Sequence, residues 1–205
     1  MDKKTLTFYF DYVDPGSYLL NRLIDKLQVD LNLVILHPVE NFFSPDSPID
    51  PTSSDWMDYN AKIQEMAKRN DLDYQSPLSK LWTRKAHELR LHAEDKGLGQ
   101  LIHKEIFKAH FQQHLDIGRI DVLVSIAKQA GLNPSESKAT LDVDKYSETI
   151  EFLGLEATNK GIKTIPSLWT EAGGLEGPAN IRELRKFLES SGIDVPTDTT
   201  SHPKS

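Results

Sequence analysis

The chain contains no cysteine in its 205 residues. This absence excludes disulfide bonds, thiolate nucleophiles and thiolate metal sites together. Long apolar runs are also missing, since no stretch approaches the roughly 20 residues that a helix needs to cross a bilayer. The first residues, Met1–Lys4, are followed by only a short apolar run, unlike a secretory signal. We therefore expect a soluble, cytoplasmic protein whose chemistry uses oxygen and nitrogen groups.

Basic residues are fewer than acidic ones: the chain has 24 Lys and Arg and 31 Asp and Glu, for a net charge of -7. The acidic residues are spread along the chain, which argues against nucleic acid or an anionic membrane as the main partner. A hydrophobic content of 38% in a chain of this length is enough to bury one sizeable core. A single domain is the first expectation.

Strand patterns occur near both ends of the chain. The β-branched and aromatic run Thr5–Phe10 predicts a buried strand, and it is followed by a tight turn at Asp14–Ser17 and a helix. A second strand is predicted over Leu31–His37, which completes a compact βαβ unit. Later segments predict a strand over 161–170, a turn at 171–174, a short strand at 175–177, and a helix over 179–189.

The middle of the chain predicts helices only. Residues 41–54 are rich in proline, serine and aspartate and indicate an irregular loop. Gly131 is the expected C-terminal cap of one of the helices. The predicted helices span 55–69, 79–96, 99–113, 119–130, a segment starting at 133 or 134, and 144–159. Residues 191–205 are expected to form a disordered tail because proline, threonine, serine and aspartate dominate them.

The order of elements is βαβ, a helical block, and then ββα, which is an α/β class. A split sheet with a helical block inside it resembles the thioredoxin-like fold with the insertion of DsbA-like proteins. The resemblance implies one domain over 1–190. Its thioredoxin-like parts would cover about 1–40 and 142–190, and the helical insertion about 55–141.

Three local matches carry the resemblance. Residues 8–19 are similar to the strand, active-site turn and helix start of the family. Residues 106–132 are similar to the insertion helices of its polyketide-associated branch, and 157–168 to the segment with its cis-proline. At the place of Asp14–Ser17, cysteine-containing members have Cys-Pro-X-Cys. Members resembling 2-hydroxychromene-2-carboxylate isomerase and kappa-class glutathione transferase have Ser-Pro-X-Ser.

The turn is an anion site in principle, because free N–H groups and the helix dipole favour negative charge. Asp14 and Ser17 occupy the positions of the two reactive residues and are the catalytic candidates. An ionised Asp14 has no proton to donate and would repel a thiolate, so it is either a general base or a hydrogen-bond acceptor. A purely structural reading is equally open, because Asp, Pro and Ser are favoured residues at a helix start.

The remaining site predictions concern ligand binding. In the family, the backbone before the cis-proline pairs with the peptide part of a substrate or with glutathione. The resemblance assigns this role to Ile165, with Pro166 as the cis residue. Tyr12 and Tyr18 flank the turn, where either hydroxyl reaches a pocket or packs in the core. The ligand-binding candidates are Tyr12, Pro15, Gly16, Ile165 and Pro166.

The histidines do not indicate a metal site. Only His110 and His114 have a spacing that places them close on one helical face, and no third ligand follows at a defined spacing. We expect no metal, and we expect the helical histidines at solvated or amphipathic positions. This expectation covers His87, His92, His103, His110 and His114.

Two functions remain open. In the first, the protein binds glutathione or another small thiol or peptide-like ligand for isomerase or transferase chemistry, with glutathione as the only candidate cofactor. In the second, it is a non-catalytic binding module descended from a thiol-disulfide oxidoreductase, and only its kinship would then suggest redox chemistry. A homodimer is among the expected assemblies.

Overall fold

The computed structural model describes residues 4–40, 52–77 and 81–196. Its strands are β1 (Leu6–Phe10), β2 (Val34–Pro38), β3 (Ser167–Thr170) and β4 (Gly173–Glu176). Its helices are α1 (Pro15–Lys26), α2 (Ser54–Arg69), α3 (Arg84–Glu94), α4 (Gly99–Phe111), α5 (Ile120–Gln129), α6 (Pro134–Asp142), α7 (Ser147–Asn159) and α8 (Ile181–Ser190). None of the helices in these ranges has the length and apolar character of a bilayer-spanning segment.

The four strands form one mixed sheet in the order β2-β1-β3-β4. Strand β1 runs parallel to β2 and antiparallel to β3, with Phe8 opposite both Leu36 and Leu168. The predicted α/β class is confirmed, and so is the order βαβ, helices, ββα. The C-terminal end of β1 leads directly to the turn at Asp14, which therefore lies at the end of an inner strand of the sheet.

One apolar core joins the sheet to the helical insertion. Phe8 and Phe10 on β1 and Ile106 and Phe107 on α4 are fully buried in the same cluster. The apolar face of helix α1, which includes Leu23, belongs to the same cluster. Helix α3 packs against α4, α5, α6 and α7, so it is surrounded by other helices.

Several boundaries differ from the sequence predictions for physical reasons. The strand predicted over 161–170 is limited to Ser167–Thr170. The Ile165–Pro166 bond is cis, and a proline nitrogen has no hydrogen to donate to a ladder. Helix α7 begins at Ser147 and not at 144, because Asp144 has a left-handed φ of 53°.

Other predictions fall wholly or partly outside the described residues. The loop predicted over 41–54 lies outside them through residue 51, as does the tail from 197 onward. The helix predicted from 79 starts at Arg84 in the structure, and residues 78–80 are outside the described ranges.

The helical histidines were expected at solvated or amphipathic positions, and solvent exposure is wrong for four of the five. His87, His92, His103 and His110 are each no more than 4% exposed. The reason is the packing of α3 and α4, whose polar faces also meet other elements. His114, in the loop after α4, is exposed as expected.

Candidate functional site

The turn at the start of α1 brings the two catalytic candidates into direct contact. Asp14 is the N-cap of α1, and Oδ2 of its carboxyl accepts hydrogen bonds from the Ser17 N–H and the Ser17 hydroxyl, both at 2.6 Å. Both residues are fully buried. Pro15 follows as the first helical residue, where its missing N–H costs nothing. The cap geometry thus holds Asp14 and Ser17 as one unit.

Tyr59, which the sequence analysis did not single out, completes this unit. It lies on α2 and its hydroxyl donates to Asp14 Oδ1 at 2.9 Å. A Cβ atom at Gly16 would overlap with this hydroxyl and would come within 2.8 Å of Pro166 Cδ. The turn, Tyr59 and Pro166 therefore meet at Gly16, so five of the predicted residues share one site: Asp14, Pro15, Gly16, Ser17 and Pro166.

The electrostatics of this site follow from its burial. Burial raises the pKa of the Asp14 carboxyl to about 6, although hydrogen bonds from Ser17, Tyr59 and the Gly16 N–H act in the opposite direction. Burial and then the charge of Asp14 raise the pKa of Tyr59. At neutral pH the site therefore combines a carboxylate that is close to its titration range with a protonated phenol.

Tyr12, a predicted ligand-binding residue, makes its hydrogen bond away from the Asp14 site. Its side chain is fully buried and its hydroxyl donates to His103 Nδ1 at 3.1 Å. Burial lowers the pKa of His103 well below its usual range, so the ring is neutral and its Nε2 donates to Asn21 Oδ1 at 3.2 Å. Tyr18 is also fully buried, and its hydroxyl donates to the Asp73 carbonyl. The geometry favours the core interpretation for both tyrosines.

A second buried pair, His87 and Asp11, lies next to the turn. His87 Nε2 lies 3.0 Å from Asp11 Oδ1, and both side chains are buried. The Asp11 N–H points at the Ser17 hydroxyl at 3.4 Å, so the pair is linked to the site through Ser17. The sequence analysis assigned no role to Asp11, although its place between β1 and the turn was visible.

The backbone of Ile165 lies just outside the sheet ladder, because β3 begins at Ser167. The Ile165 side chain belongs to a small apolar cluster with Val39 and Ile162. These last two residues also line a cavity of about 520 Å³, together with Glu40 and Arg84 and one face of α7. The cavity therefore borders the apolar cluster that contains Ile165.

Metal binding has no counterpart in the described ranges. Within them, no group of three or more histidine, aspartate or glutamate side chains is placed to hold a metal ion.

Comparisons with known proteins agree with this fold. A model of the DSBA-like thioredoxin domain matches residues 5–194. The uncharacterized protein YwbO of Bacillus subtilis is 27% identical over 148 residues, which are 68% of this chain and 72% of that protein.

Solved structures are similar over nearly the whole chain. A probable DsbA oxidoreductase, SCO1869 of Streptomyces coelicolor, gives a TM-score of 0.77 at 17% identity and covers 99% of this chain and 98% of its own. A 2-hydroxychromene-2-carboxylate isomerase gives 0.74 at 16% identity, with 92% and 94% covered. The cytosolic disulfide reductase DsbM of Pseudomonas aeruginosa with GSH gives 0.66 at 18% identity, with 91% and 98% covered. At these identities the structural matches establish the fold.

Proposed function

Because this chain belongs to the DSBA-like thioredoxin domain family, we propose that it binds glutathione or another small thiol or peptide-like ligand for isomerase or transferase chemistry. The observation that carries the proposal is the hydrogen bond from the Tyr59 hydroxyl to the buried Asp14 carboxylate, next to Pro166. Similar solved structures include one isomerase and one disulfide reductase with GSH, which supports a thiol ligand.

The Asp14–Tyr59 pair removes the main objection to a thiol ligand. An ionised Asp14 would repel a thiolate, and the one O–H of Tyr59 that it accepts cannot also donate to the sulfur, so the thiolate forms only when Asp14 takes up a proton through Tyr59. The thiol S–H bond breaks as its proton passes to Tyr59 Oη, and the former Tyr59 proton passes to Asp14 Oδ1. The product is a thiolate that accepts a hydrogen bond from Tyr59, beside a neutral Asp14. A carboxyl whose pKa is raised to about 6 is a better base for this step than an ordinary aspartate.

The thiolate then adds to an electrophilic carbon of the second substrate, and the proton on Asp14 returns to that substrate by the same route. A transferase releases this adduct. An isomerase expels the thiolate after a bond has rotated, so glutathione is recovered. Ligand binding in both cases uses the Ile165 backbone for strand-like pairing, and the cavity at Val39 and Ile162 for apolar groups.

Glutathione titration followed by absorbance near 240 nm tests binding and proton transfer together. Calorimetry should detect binding at millimolar glutathione, and the thiol of the bound ligand should titrate about one pH unit below that of the free ligand. Tyr59→Phe should abolish this shift, because it removes the hydroxyl that donates to the thiolate. Tyr146→Phe is the matched control, because Tyr146 also donates to an aspartate, Asp95, but away from the turn.

An absence of heat and of spectral change at millimolar glutathione would remove glutathione as the ligand. Binding without a shift of the thiol pKa would instead favour the second function, a binding module. One observation supports that alternative, because Ser17 and both oxygens of Asp14 are already engaged in internal hydrogen bonds. A cytoplasmic location is part of the proposal, since one similar structure is a cytosolic reductase.

A further inference from the structure

A second cavity, far along the chain from the turn, lies between the end of α3 and the start of α4. Its volume is about 170 Å³, many times the roughly 10–15 Å³ that one water needs. It borders the edge strand β2 and is lined by Arg90 and Glu94 of α3 and by Gly97, Gly99 and Gln100. The cavity is thus made of one cation, one anion and the beginning of a helix.

Arg90 is an unusual wall for a cavity because its side chain is only 2% exposed. A guanidinium has five N–H donors, and its desolvation is costly unless they are used. Its NH1 group donates to Glu94, whereas Nε is buried and has no hydrogen-bond partner. Arg90 therefore carries a charge and a donor that the fold itself only partly satisfies.

The start of α4 supplies further donors. Leu98 is the N-cap and provides no side-chain hydrogen bond, although the helix is 13 residues long. The first N–H groups of a helix have no intrahelical acceptor, and the helix dipole makes this end favourable for anions. Gly97 and Gly99 bring the backbone of this end to the cavity without side chains.

The Arg90 charge could instead be explained as one half of an internal ion pair, because Arg90 already pairs with Glu94. The position of Glu94 is a poor one for a permanent counterion. The side chain is 60% exposed, and it lies in the last turn of α3, where the helix dipole disfavours a carboxylate. Glu94 can therefore turn out to solvent when another anion enters.

We infer that this cavity binds a small oxyanion, a phosphate or carboxylate group, between the Arg90 guanidinium and the N-terminus of α4. Glu94 then acts as an internal competitor for the same donors. The site is independent of the turn at Asp14, and the inference does not rest on the function proposed for that turn.

Titration with inorganic phosphate, followed by amide NMR shifts, tests the site, with succinate as a parallel arm for a carboxylate ligand. The Gly99 and Gln100 amides should shift in a saturable manner at constant ionic strength. Glu94→Gln should tighten binding about fivefold, as expected when one like charge a few Å away is removed. Gln100→Glu should weaken binding by a similar factor, because it adds a carboxylate to the cavity.

Glu65→Gln is the matched control, since Glu65 forms the same helical i,i+4 pair with Arg69 on exposed α2. It should leave phosphate affinity unchanged. Thermal melting checks that each variant is folded, and no result depends on replacing the core residue Arg90. Tighter binding in one arm identifies the ligand class as a phosphate or an organic acid. Two results would overturn the site. The first is that the Gly99 and Gln100 amides show no saturable shift in either the wild type or Glu94→Gln. The second is that neither cavity substitution changes the affinity.

Discussion

Asp14 combines two roles that oppose each other energetically. As the N-cap it accepts from Ser17 and stabilises the start of α1, which is worth about 1 kcal/mol in typical cases. As a fully buried carboxylate it is destabilised in its charged form, which is why its pKa is raised to about 6. A neutral residue of the same shape keeps the first role and removes the second.

We therefore predict that Asp14→Asn changes how stability depends on pH. The folded pKa lies above the unfolded value, so the native state binds more protons between about pH 4 and 6, and stability from this group falls as pH rises through that window. At pH 7 the variant should gain up to about 3 kcal/mol relative to its position at pH 4. Urea unfolding of both proteins from pH 4 to 7.5 measures this difference, in which the other titrating groups cancel. A constant difference across that range would contradict the prediction.

For single residues, the sequence predicts contacts between residues that are close along the chain but not contacts between residues that are far apart in it. The contact between Asp14 and Ser17 could be foreseen because both residues lie in the first turn of one helix. Tyr59 could not, although α2 was predicted, because nothing local shows which face of α2 packs on the turn 45 residues earlier. The burial of Asp14 depends on that same packing, so its pKa was also out of reach.

At the scale of elements, a polar relay inside the core joins α4 to α1 and to the segment between β1 and α1. His103 of α4 accepts from Tyr12 and donates to Asn21 of α1. Such a relay is stable only when each member is satisfied, because an unpaired polar atom in the core costs about 1–3 kcal/mol. The relay explains how a helix with histidines can pack against a strand of aromatic residues.

Tyr12→Phe should therefore lower stability by about 1–3 kcal/mol, since it leaves His103 Nδ1 without a donor. Ligand affinity at the turn should not change. Tyr146→Phe, which removes a more exposed hydroxyl, should change stability by no more than about 0.5 kcal/mol. Denaturant unfolding and glutathione titration of both variants provide the test. Lost binding in a stable Tyr12→Phe protein would instead support the ligand-binding prediction for Tyr12.

Element types were predictable from periodicity, whereas burial of polar helical faces was not. Helix α3 has buried residues throughout 85–90, including Lys85, Glu88 and Arg90. A sequence rich in charge predicts a solvated face, yet α3 lies among four other helices and its charges pair, as in Lys85 with Glu88. This arrangement is a tertiary property that no local pattern contains.

At the scale of the whole molecule, sheet and insertion share one core. Phe107 of α4 packs against Tyr12, with ring centroids 5.0 Å apart, and lies 6.0 Å from the rings of Phe10 and Tyr18. The insertion therefore contributes to the core of the sheet and is not an appended layer. The resemblance predicted where the insertion interrupts the sheet. It did not predict which insertion residues contact the sheet, because that depends on tertiary packing.

Phe107→Ala should destabilise the entire chain by about 3–5 kcal/mol, because it removes a ring shared by both parts. We expect one unfolding transition in the wild type and in the variant. Far-UV dichroism follows mainly the insertion helices, and fluorescence follows the sheet in a protein that keeps only Trp169, after Trp56→Phe and Trp82→Phe. The two midpoints should coincide. Loss of helix at lower denaturant than loss of the Trp169 signal would show that the insertion unfolds by itself.

The close approach at Gly16 restricts how this turn can diversify. A side chain at that position would separate Tyr59 from Asp14 and push Pro166 away from the helix start, so the hydrogen bond between Tyr59 and Asp14 and the contact with Pro166 would be lost in one step. Positions 14 and 17 are buried and hydrogen-bonded, but their side chains already occupy space, so a replacement of similar size can change their chemistry while the backbone stays in place. The evolutionary freedom of the site therefore lies in the two residues that flank a fixed Pro-Gly centre, and new activities can arise there without a new fold.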